Sequence, residues 1–314
     1  SARRACEIAA AGNHNLLFIG PPGTGKSMLA KRLPTILPDM TFDEMLESSK
    51  IYSVAGKLTP EHPLVSTRPF IKANQGISTA GLIGGGTGPG PGTISLAHNG
   101  VLFLDELPEF NRNVLEALRE PMEDGMIHIS RASGTVAWPA RFMMGAAMNP
   151  CPCGYSMDPK RECSCLPDSV RRYRQRISGP MLDRIDIQVA VPSTDPRNLM
   201  QMPTGESSSQ IRDRVIAAKN VQIARFFRSK CHSNAEMNSD ETKAFAAMTV
   251  STERFAVSAA EKMQLSARGY YRMLKVARTI ADLRAVRDSS KNVPVECSDI
   301  AEALRFRAFS GLAG

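Results

Sequence analysis

Short apolar runs alternate with amphipathic stretches along the first 150 residues of the chain. Residues 15–19, 101–104 and 141–148 are largely apolar and end at Gly-Pro, Asp-Glu and Asn-Pro, so each predicts a buried strand. The amphipathic stretches predict helices over residues 1–11, 26–34, 41–55 and 111–124. We expect Pro34 to end the second of these helices. Strands that alternate with helices indicate an α/β fold, in which a doubly wound parallel sheet carries helices on both faces.

The other segments divide the chain into two domains. The first is an α/β domain over residues 1–192, with a Gly- and Pro-rich loop or insertion over 64–95 and a β-hairpin over 126–138. A polar, Pro-rich stretch predicts a linker over residues 193–208. Beyond it, helical periodicity predicts an all-helical domain over residues 209–314, with helices at 209–228, 240–263, 266–287 and 298–309.

Composition and charge add few constraints. The chain has 314 residues, of which 42% are hydrophobic and 22% are charged, as in ordinary globular proteins of two domains. No run reaches the roughly 18 apolar residues of a membrane span, and the start lacks the apolar core of a secretion signal, so we expect a cytoplasmic protein. Residues 1–11 lead directly into the first strand, which indicates that the chain begins inside a domain. The net charge of +8 permits a nucleic-acid partner, or reflects only a basic surface with phosphate-binding residues.

The run from Gly20 to Ser27 matches the phosphate-binding pattern G-x-x-x-x-G-K-[ST], between a predicted strand and a predicted helix. Its glycines let backbone amides wrap around phosphates, Lys26 neutralises the β- and γ-phosphates, and the Ser27 hydroxyl binds Mg²⁺. A glycine-rich turn that matches by chance is the alternative, which the strand–loop–helix context disfavours. The predicted nucleotide-binding residues are Gly20, Pro21, Pro22, Gly23, Thr24, Gly25, Lys26 and Ser27.

Two acids follow the strand predicted over residues 101–104. Asp105 and Glu106 thus lie at the carboxyl edge of the sheet, where ligands bind in such folds. We expect Asp105 to hold Mg²⁺, directly or through water, and Glu106 to deprotonate the attacking water. Asn149 ends the next strand, and we expect its amide to contact the γ-phosphate or the lytic water; a simple turn residue is the alternative. With the loop, these residues predict hydrolysis of ATP or GTP.

Four of the seven cysteines lie in the segment 151–165. Cys151, Cys153, Cys163 and Cys165 form two C-x-C pairs, a set that can bind Zn²⁺ tetrahedrally. Such a zinc ion would be structural, since protein ligands would fill all four positions. Reduced free thiols, as expected in the cytoplasm, are the alternative.

Several stretches resemble AAA+ proteins of the magnesium-chelatase-I-like group and, within it, the bacterial ComM (YifB) proteins. They are residues 20–27, 51–57, 82–86, 94–110, 129–135, 148–154, 182–187 and 265–270. The similarity covers nearly the whole chain, and we expect the chain to lack the Lon-like N-terminal domain that ComM proteins carry. The family typically has His-His before Ser-Ile-Ser-like residues in the segment 72–79, whereas residues 72–78 of this chain read Lys-Ala-Asn-Gln-Gly-Ile-Ser. Thr93 also replaces a usual Glu, so the role of residues 72–79 is open.

The resemblance implies a P-loop AAA+ fold with a C-terminal helical lid domain, and a homo-hexameric ring whose ATP sites lie between subunits. Arg184 matches the arginine finger that reaches the γ-phosphate of a neighbour; the alternative is a surface pair with Asp183 or Asp186. Arg268 matches the second sensor on the lid, and Arg272, on the same helix face, is the alternative.

The ComM resemblance also implies an ATP-driven helicase that migrates branched DNA in recombination and natural transformation. Arg131, beside the turn of the predicted hairpin, is a candidate contact to branched or single-stranded DNA, or else a plain surface arginine. Residues 171–176 interleave Tyr173 with four arginines, which suits phosphate contact and base stacking; a solvated helix face or a subunit contact is the alternative.

Two other functions use the same ATP chemistry. One is the motor subunit of a metal chelatase, and the other is a MoxR-like chaperone that remodels its protein partner. The cysteine segment and residues 182–187 favour the DNA motor by resemblance. All three predictions share the cofactors ATP and Mg²⁺.

Overall fold

The computed structural model describes residues 2–85, 90–131, 134–193, 205–229, 231–288 and 293–307. Its strands are β1 Leu16–Ile19, β2 Phe70–Ala73, β3 Val101–Leu104, β4 Met126–Arg131, β5 Gly134–Pro139, β6 Met143–Met148 and β7 Ile187–Ala190. The central sheet has the order β2-β3-β6-β1-β7, and all its neighbouring strands are parallel. Strands β4 and β5 form the predicted antiparallel hairpin.

Helices lie on both faces of the sheet and continue through the C-terminal part. They are α1 Ala2–Gly12, α2 Lys26–Ile36, α3 Phe42–Val54, α4 Thr79–Ile83, α5 Thr93–Leu96, α6 Arg112–Ala117, α7 Arg119–Asp124, α8 Pro167–Arg174, α9 Gly179–Asp183, α10 Ser208–Arg225, α11 Ser239–Phe245, α12 Val250–Lys262, α13 Ala267–Arg287 and α14 Cys297–Arg305. Two 3₁₀ turns cover Leu107–Glu109 and Asn234–Glu236. None of the helices described is both long and apolar enough to cross a bilayer.

Alternate residues of the central strands serve the two faces of the sheet. Leu16 and Phe18 belong to one hydrophobic cluster, whereas Leu17 and Ile19 belong to the other. Because β1, β3 and β6 are buried on both faces, their sequences are continuous apolar runs rather than alternating ones. The predicted parallel sheet with helices on both faces is thereby confirmed.

Local sequence explains most of the helix boundaries. The predicted capping box at the start of α3 is present: the Thr41 hydroxyl accepts from the Glu44 amide, and the Glu44 carboxylate accepts from the Thr41 amide. Helix α2, however, continues through Pro34 to Ile36, although Pro34 has no backbone N–H to donate to the Ala30 carbonyl. The prediction that Pro34 ends the helix was therefore wrong by two residues.

The segment 64–95 is not simply a loop. It contributes the edge strand β2 and the short helices α4 and α5, while residues 86–89 lie outside the described ranges. Strand β2 lacks the apolar signature of its neighbours because only one end of it, Ala73, is buried. The helices predicted over 111–124 and 240–263 are each divided into two shorter helices.

The helical region, residues 205–307, packs against helices α1 and α2 of the α/β part. Helix α10 contacts α1 and α2, and α13 contacts α1, so both halves of the chain share one hydrophobic cluster. Ion pairs reinforce this contact, at 2.5 Å between Arg214 Nε and Glu7 Oε1 and at 2.9 Å between Arg4 Nε and Glu302 Oε1. Most of the predicted linker, residues 194–204, lies outside the described ranges. The division at 1–192 and 209–314 stays a prediction.

A buried polar network holds the helical region together. The fully buried Asp282 carboxylate on α13 accepts from Asn234 Nδ2 at 2.9 Å and pairs with Arg278 at 2.9 Å and with Arg225 of α10. Burial lowers the pKa of the Arg278 guanidinium, and the charge of Asp282 works against that effect. The network joins α10, α13 and the turn Asn234–Glu236 through the buried charge of Asp282.

Candidate nucleotide-binding site

The loop between β1 and α2 has the backbone shape that phosphate binding requires. Gly23 and Gly25 have φ angles of 76° and 83°, a left-handed conformation that side chains disfavour. At Gly20, a Cβ would lie 2.1 Å from the carbonyl oxygen of Val191, so only glycine fits there. Helix α2 begins at Lys26 without a side-chain cap, which leaves its first backbone amides directed at the loop.

Lys26 lies inside this loop rather than in solvent. Its ammonium donates to the carbonyl oxygens of Gly20 and Pro21, each at 2.7 Å, and to Asn149 Oδ1 at 3.2 Å. Burial lowers the pKa of Lys26, and the charges of Asp105 and Glu106 partly offset this effect. Asn149, at the end of β6, therefore contacts the same ammonium that the loop motif assigns to the phosphates.

The two acids after β3 lie where the sequence predicts them. Asp105 Oδ2 accepts from Ser27 Oγ at 3.1 Å, which brings the two expected magnesium ligands together. Two oxygen ligands in adjacent positions of an octahedral Mg²⁺ ion lie about 3 Å apart, so this pair fits that ion. Glu106 has a φ of 55°, a strained conformation for a residue with a side chain, and such strain is frequent at functional sites.

Two further residues contact these acids, and the sequence analysis assigned neither of them a role. Lys72 Nζ lies 2.8 Å from Asp105 Oδ2, and Gln75 Nε2 donates to Glu106 Oε2 at 2.6 Å. Both come from the carboxyl end of β2, which pairs with β3 in parallel. The diverged segment 72–79 is thus part of the site's wall. A correct assignment of β2 from the sequence would have placed these residues here.

The candidate arginines lie at the opposite side of the sheet, next to the amino ends of its strands. The backbone amide of Asn15, before β1, donates to Asp186 Oδ2 at 3.1 Å, and its side chain donates to the Arg184 carbonyl at 3.1 Å. Strand β1 has four residues, which separate the two edges by roughly 13 Å at about 3.3 Å per residue. Arg184 and the loop of the same chain therefore face different sides of the molecule.

Arg184 is buried, and its partner is an acid that the sequence analysis did not consider. Its Nη2 lies 2.7 Å from Glu123 Oε1, and its Nη1 donates to the Pro180 carbonyl at 2.9 Å. A surface pair with Asp183 or Asp186 was the alternative, and it was wrong. Arg268 also approaches Glu123 Oε1, at 3.9 Å, with half of its side chain exposed.

Arg272 has a different environment from Arg268, although both are on α13. Its Nη1 donates to Asp186 Oδ1 at 2.7 Å. Burial alone would raise the pKa of the Asp186 carboxyl, but the charge of Arg272 and the contact with His14 hold it well below its usual range. A cavity of about 1170 Å³ opens beside these residues, and Glu123, Arg268 and Arg272 are among those that line it.

Comparison with known proteins assigns the family. Residues 1–199 match the family described as magnesium chelatase, subunit ChlI, and residues 205–307 match its C-terminal family. The chain belongs to the magnesium chelatase ChlI family. Members of this family are AAA+ ATPases. The match thus agrees with the nucleotide hydrolysis that the phosphate-binding loop and the two acids after β3 predict.

Individual members of the ChlI family differ in how similar they are to this chain. Competence protein ComM of Haemophilus influenzae is 44% identical over 308 residues, and YifB of Escherichia coli is 43% identical over 311 residues. The chloroplastic magnesium-chelatase subunit ChlI of Oryza sativa is 25% identical over 157 residues, which cover 43% of this chain and 38% of that protein. The matches to ComM and YifB cover 98% and 99% of this chain but 58% and 59% of those proteins. The chain therefore spans less than two thirds of their length.

The four cysteines of this ChlI-family chain come together after β6. Their sulfur atoms all lie within 4.8 Å of one another. The distances are 3.4 Å from Cys151 to Cys153, 3.7 Å from Cys151 to Cys163 and 3.6 Å from Cys153 to Cys163. A zinc ion with four sulfur ligands at about 2.3 Å separates its ligands by about 3.8 Å, so the arrangement fits zinc. The backbone amide of Tyr155 contributes most to lowering the pKa of Cys153 to about 6.

The predicted DNA contacts have mixed outcomes. Arg131 is the last residue of β4, and its side chain lies outside the described part of the chain. Tyr173 is buried with 7% exposure, which contradicts the interpretation of residues 171–176 in which its ring stacks on bases. Burial raises the pKa of the Tyr173 phenol to about 12. Arg174 and Arg176 bind the Pro150 carbonyl at 3.1 Å and Glu109 at 2.9 Å, which ties the helix to the nucleotide side of the sheet.

Proposed function

We propose that the chain is an Mg-ATP-hydrolysing motor that works as a ring on branched DNA. The observation that carries the ATPase part is the meeting of Lys26, Ser27, Asp105 and Glu106 at one edge of the sheet. Each of these side chains has a different role in the hydrolysis mechanism of P-loop proteins. Apolar residues would stabilise the fold better at these positions, so stability alone does not explain why the four polar side chains lie together.

Each residue at this edge has a separate task. Lys26 and the loop amides bind the β- and γ-phosphates, while Ser27 and Asp105 hold Mg²⁺. The bound Mg²⁺ offsets the negative charge that the phosphates carry during transfer. Glu106 takes the proton of the attacking water, and Asn149 orients that water or the γ-phosphate.

The position of the arginines supports catalysis between subunits. Arg184 and Arg268 lie at the edge opposite to the loop of their own chain, roughly 13 Å or more away, so they can approach only the nucleotide of another subunit. A guanidinium that arrives in trans stabilises the charge on the transferring phosphoryl group. A contact of this head-to-tail kind generates a ring where its rotation closes, and we propose a homo-hexamer.

Arg268 is the better candidate for the second sensor. Arg272 donates to the buried Asp186 carboxylate, and removing it from that pair would leave an unpaired charge inside the protein. Arg268 is 52% exposed and lies 3.9 Å from Glu123, a weak contact that a phosphate can replace. Glu123 then serves as the shared partner of both arginines when no neighbouring nucleotide is present.

The DNA part of the proposal has support of another kind. The relative with 44% identity is named a competence protein. The net charge of +8 suits a polyanionic partner. The hairpin β4–β5 forms a two-stranded sheet separate from the central one, with Arg131 at the end of its first strand. We propose that this hairpin contacts the DNA backbone inside the ring.

A second function is supported by the family match. Both family models carry the name of a magnesium chelatase subunit, so the chain could instead drive metal insertion through a partner protein. The ATP site would be the same in either case. Only the response to DNA separates the two proposals.

We also propose that the four cysteines hold a structural zinc ion. Their separations match a ZnS₄ tetrahedron, and the segment from Cys151 to Cys165 contains no helix or strand that could fix it otherwise. Zinc binding to thiolates requires a compartment that keeps cysteines reduced, which agrees with our proposal of a cytoplasmic protein.

The test is the rate of ATP hydrolysis with and without a four-way DNA junction. The DNA-motor proposal predicts a faster rate with the junction than with linear duplex of the same length and sequence content. Lys26→Ala and Glu106→Gln controls must remove hydrolysis under both conditions. Equal rates with and without DNA, together with stimulation by a metal-chelatase partner subunit, would favour the second function instead.

A further inference from the structure

The cysteine segment touches the phosphate-binding loop directly. Gly154 lies against Pro22 so closely that a Cβ at position 154 would be 2.6 Å from Pro22 Cδ and 2.8 Å from Pro22 Cγ. Gly154 also has a φ of 88°, which side chains disfavour. Both the contact and the backbone conformation therefore require glycine.

The residue that contacts Lys26, Asn149, lies just before the cysteine segment. Asn149 Oδ1 accepts from Lys26 Nζ at 3.2 Å, and Cys151 follows two residues later. The turn from Cys151 to Gly154 thus leaves the site at Asn149 and returns to it at Pro22. Its shape determines the position of one wall of the nucleotide site.

Sulfur atoms determine the shape of that turn. Cys151 Sγ accepts from the Ser156 amide at 3.3 Å, and Cys165 Sγ accepts from the Cys153 amide at 3.3 Å. The backbone adds a bond of 3.0 Å from the Gly154 amide to the Cys151 carbonyl. Cys151 is completely buried, whereas Cys153, Cys163 and Cys165 are partly exposed. Each of these hydrogen bonds from a backbone amide involves a cysteine of the cluster. Displacement of the sulfur atoms would therefore displace Gly154.

We propose that zinc at the four cysteines holds Gly154 and Asn149 in place, so that metal occupancy sets the affinity of the P-loop for magnesium nucleotides. This inference rests on the zinc site of the proposed function. Without the ion, the four sulfur atoms lose the metal bonds that would hold them together, and the turn moves away from Pro22. The P-loop then loses the side support of Pro22 and the position of Asn149 at Lys26.

The experiment measures zinc content and nucleotide affinity in the whole chain. Zinc is quantified by a colorimetric chelator after release from the thiols, and affinity by the fluorescence of a labelled ATP analogue with Mg²⁺. Cys163→Ser removes a ligand that is nine residues beyond Gly154, so it does not alter the contact itself. We expect this variant to lose zinc and to bind the nucleotide at least about tenfold more weakly, a change of about 1.4 kcal/mol. The matched control is Cys297→Ser, an exposed cysteine outside the cluster, which should retain both zinc and affinity.

A second variant separates the metal from the contact. Gly154→Ala keeps all four cysteines, so it should retain zinc while its affinity for the nucleotide falls, because its Cβ displaces Pro22. If Cys163→Ser does not fold, removal of zinc from the wild-type chain with a chelator, followed by its return, takes the place of that variant. Unchanged nucleotide affinity in zinc-free Cys163→Ser, or in Gly154→Ala, would overturn the inference. A wild-type chain that binds the nucleotide but no zinc would refute the zinc site and this inference, yet leave the ATPase proposal intact.

Discussion

Arg184 and Glu123 form an ion pair, with 2.7 Å between Nη2 and Oε1, at the edge of the sheet opposite to the phosphate-binding loop. Since the same chain cannot bring this guanidinium to its own nucleotide, the arginine acts in a neighbouring site or not at all. This relationship makes the ring proposal testable without an image of the ring.

Arg184→Ala should reduce the rate of ATP hydrolysis by about 10³-fold or more while nucleotide binding persists. Lys26→Ala should be inactive for a different reason, since it lacks the contact to the phosphates. Mixed in equal amounts, the two inactive chains should recover roughly a quarter of wild-type activity, because that share of interfaces combines an intact loop with an intact arginine. Arg287→Ala, which removes a largely exposed arginine, is the matched control. An inactive mixture would contradict catalysis in trans.

Lys72 Nζ lies 2.8 Å from Asp105 Oδ2, where its ammonium would compete for the carboxylate with the Mg²⁺ ion that we propose. Lys72→Ala should lower the magnesium concentration needed for half-maximal nucleotide binding. Because the Lys72 side chain is 54% exposed, the pair is worth at most about 1 kcal/mol, and the change should be about two- to fivefold. Lys72→Arg keeps the charge and serves as the control. If Lys72→Ala needed more magnesium than wild type, Lys72 would be an aid to the metal and not a competitor.

Asp282→Ala should destabilise the helical region by about 3–5 kcal/mol, because it leaves Arg225 and Arg278 buried without their shared carboxylate. Chemical denaturation monitored by circular dichroism measures the change. Asp213→Ala removes an exposed aspartate from the neighbouring helix α10 and should alter the free energy of unfolding by less than about 0.5 kcal/mol. Similar losses in both variants would mean that the network contributes no more than a surface charge.

The depressed pKa of the Asp186 carboxyl predicts how the stability of the fold depends on pH. Its pKa in the folded protein is depressed, so its contribution to stability is fully present above the unfolded value of about 4 and is lost as pH falls below it. Asp186→Asn should therefore be less stable than wild type at pH 7, and the difference should shrink as pH falls from 4 towards 2. Denaturant midpoints at several pH values check this. A difference that stays constant over that range would show that the carboxylate charge is not what stabilises the fold.

Much of the site was predictable because its signals are local. The loop from Gly20 to Ser27 and the acids Asp105 and Glu106 follow fully buried apolar strands, and such strands are visible in the sequence. The hairpin and the capping box at Thr41 depend only on neighbouring residues. These features need no knowledge of distant contacts.

The missing parts depend on tertiary structure. Strand β2 is a partly polar edge strand, so its sequence resembles a loop, and the approach of Lys72 and Gln75 to the acids went unnoticed. The partner of Arg184 was also missed, because Glu123 is 61 positions earlier in the chain and no pattern joins them. Residues brought together only by packing cannot be paired by spacing alone.

Release of phosphate from Mg-ATP by the purified chain, compared with Glu106→Gln, tests the central claim most directly. The account predicts that wild type hydrolyses ATP, and that Glu106→Gln binds the nucleotide equally well but hydrolyses it about 10²–10⁴-fold more slowly. Equal rates in the two proteins, or no binding of any magnesium nucleotide by wild type, would contradict it.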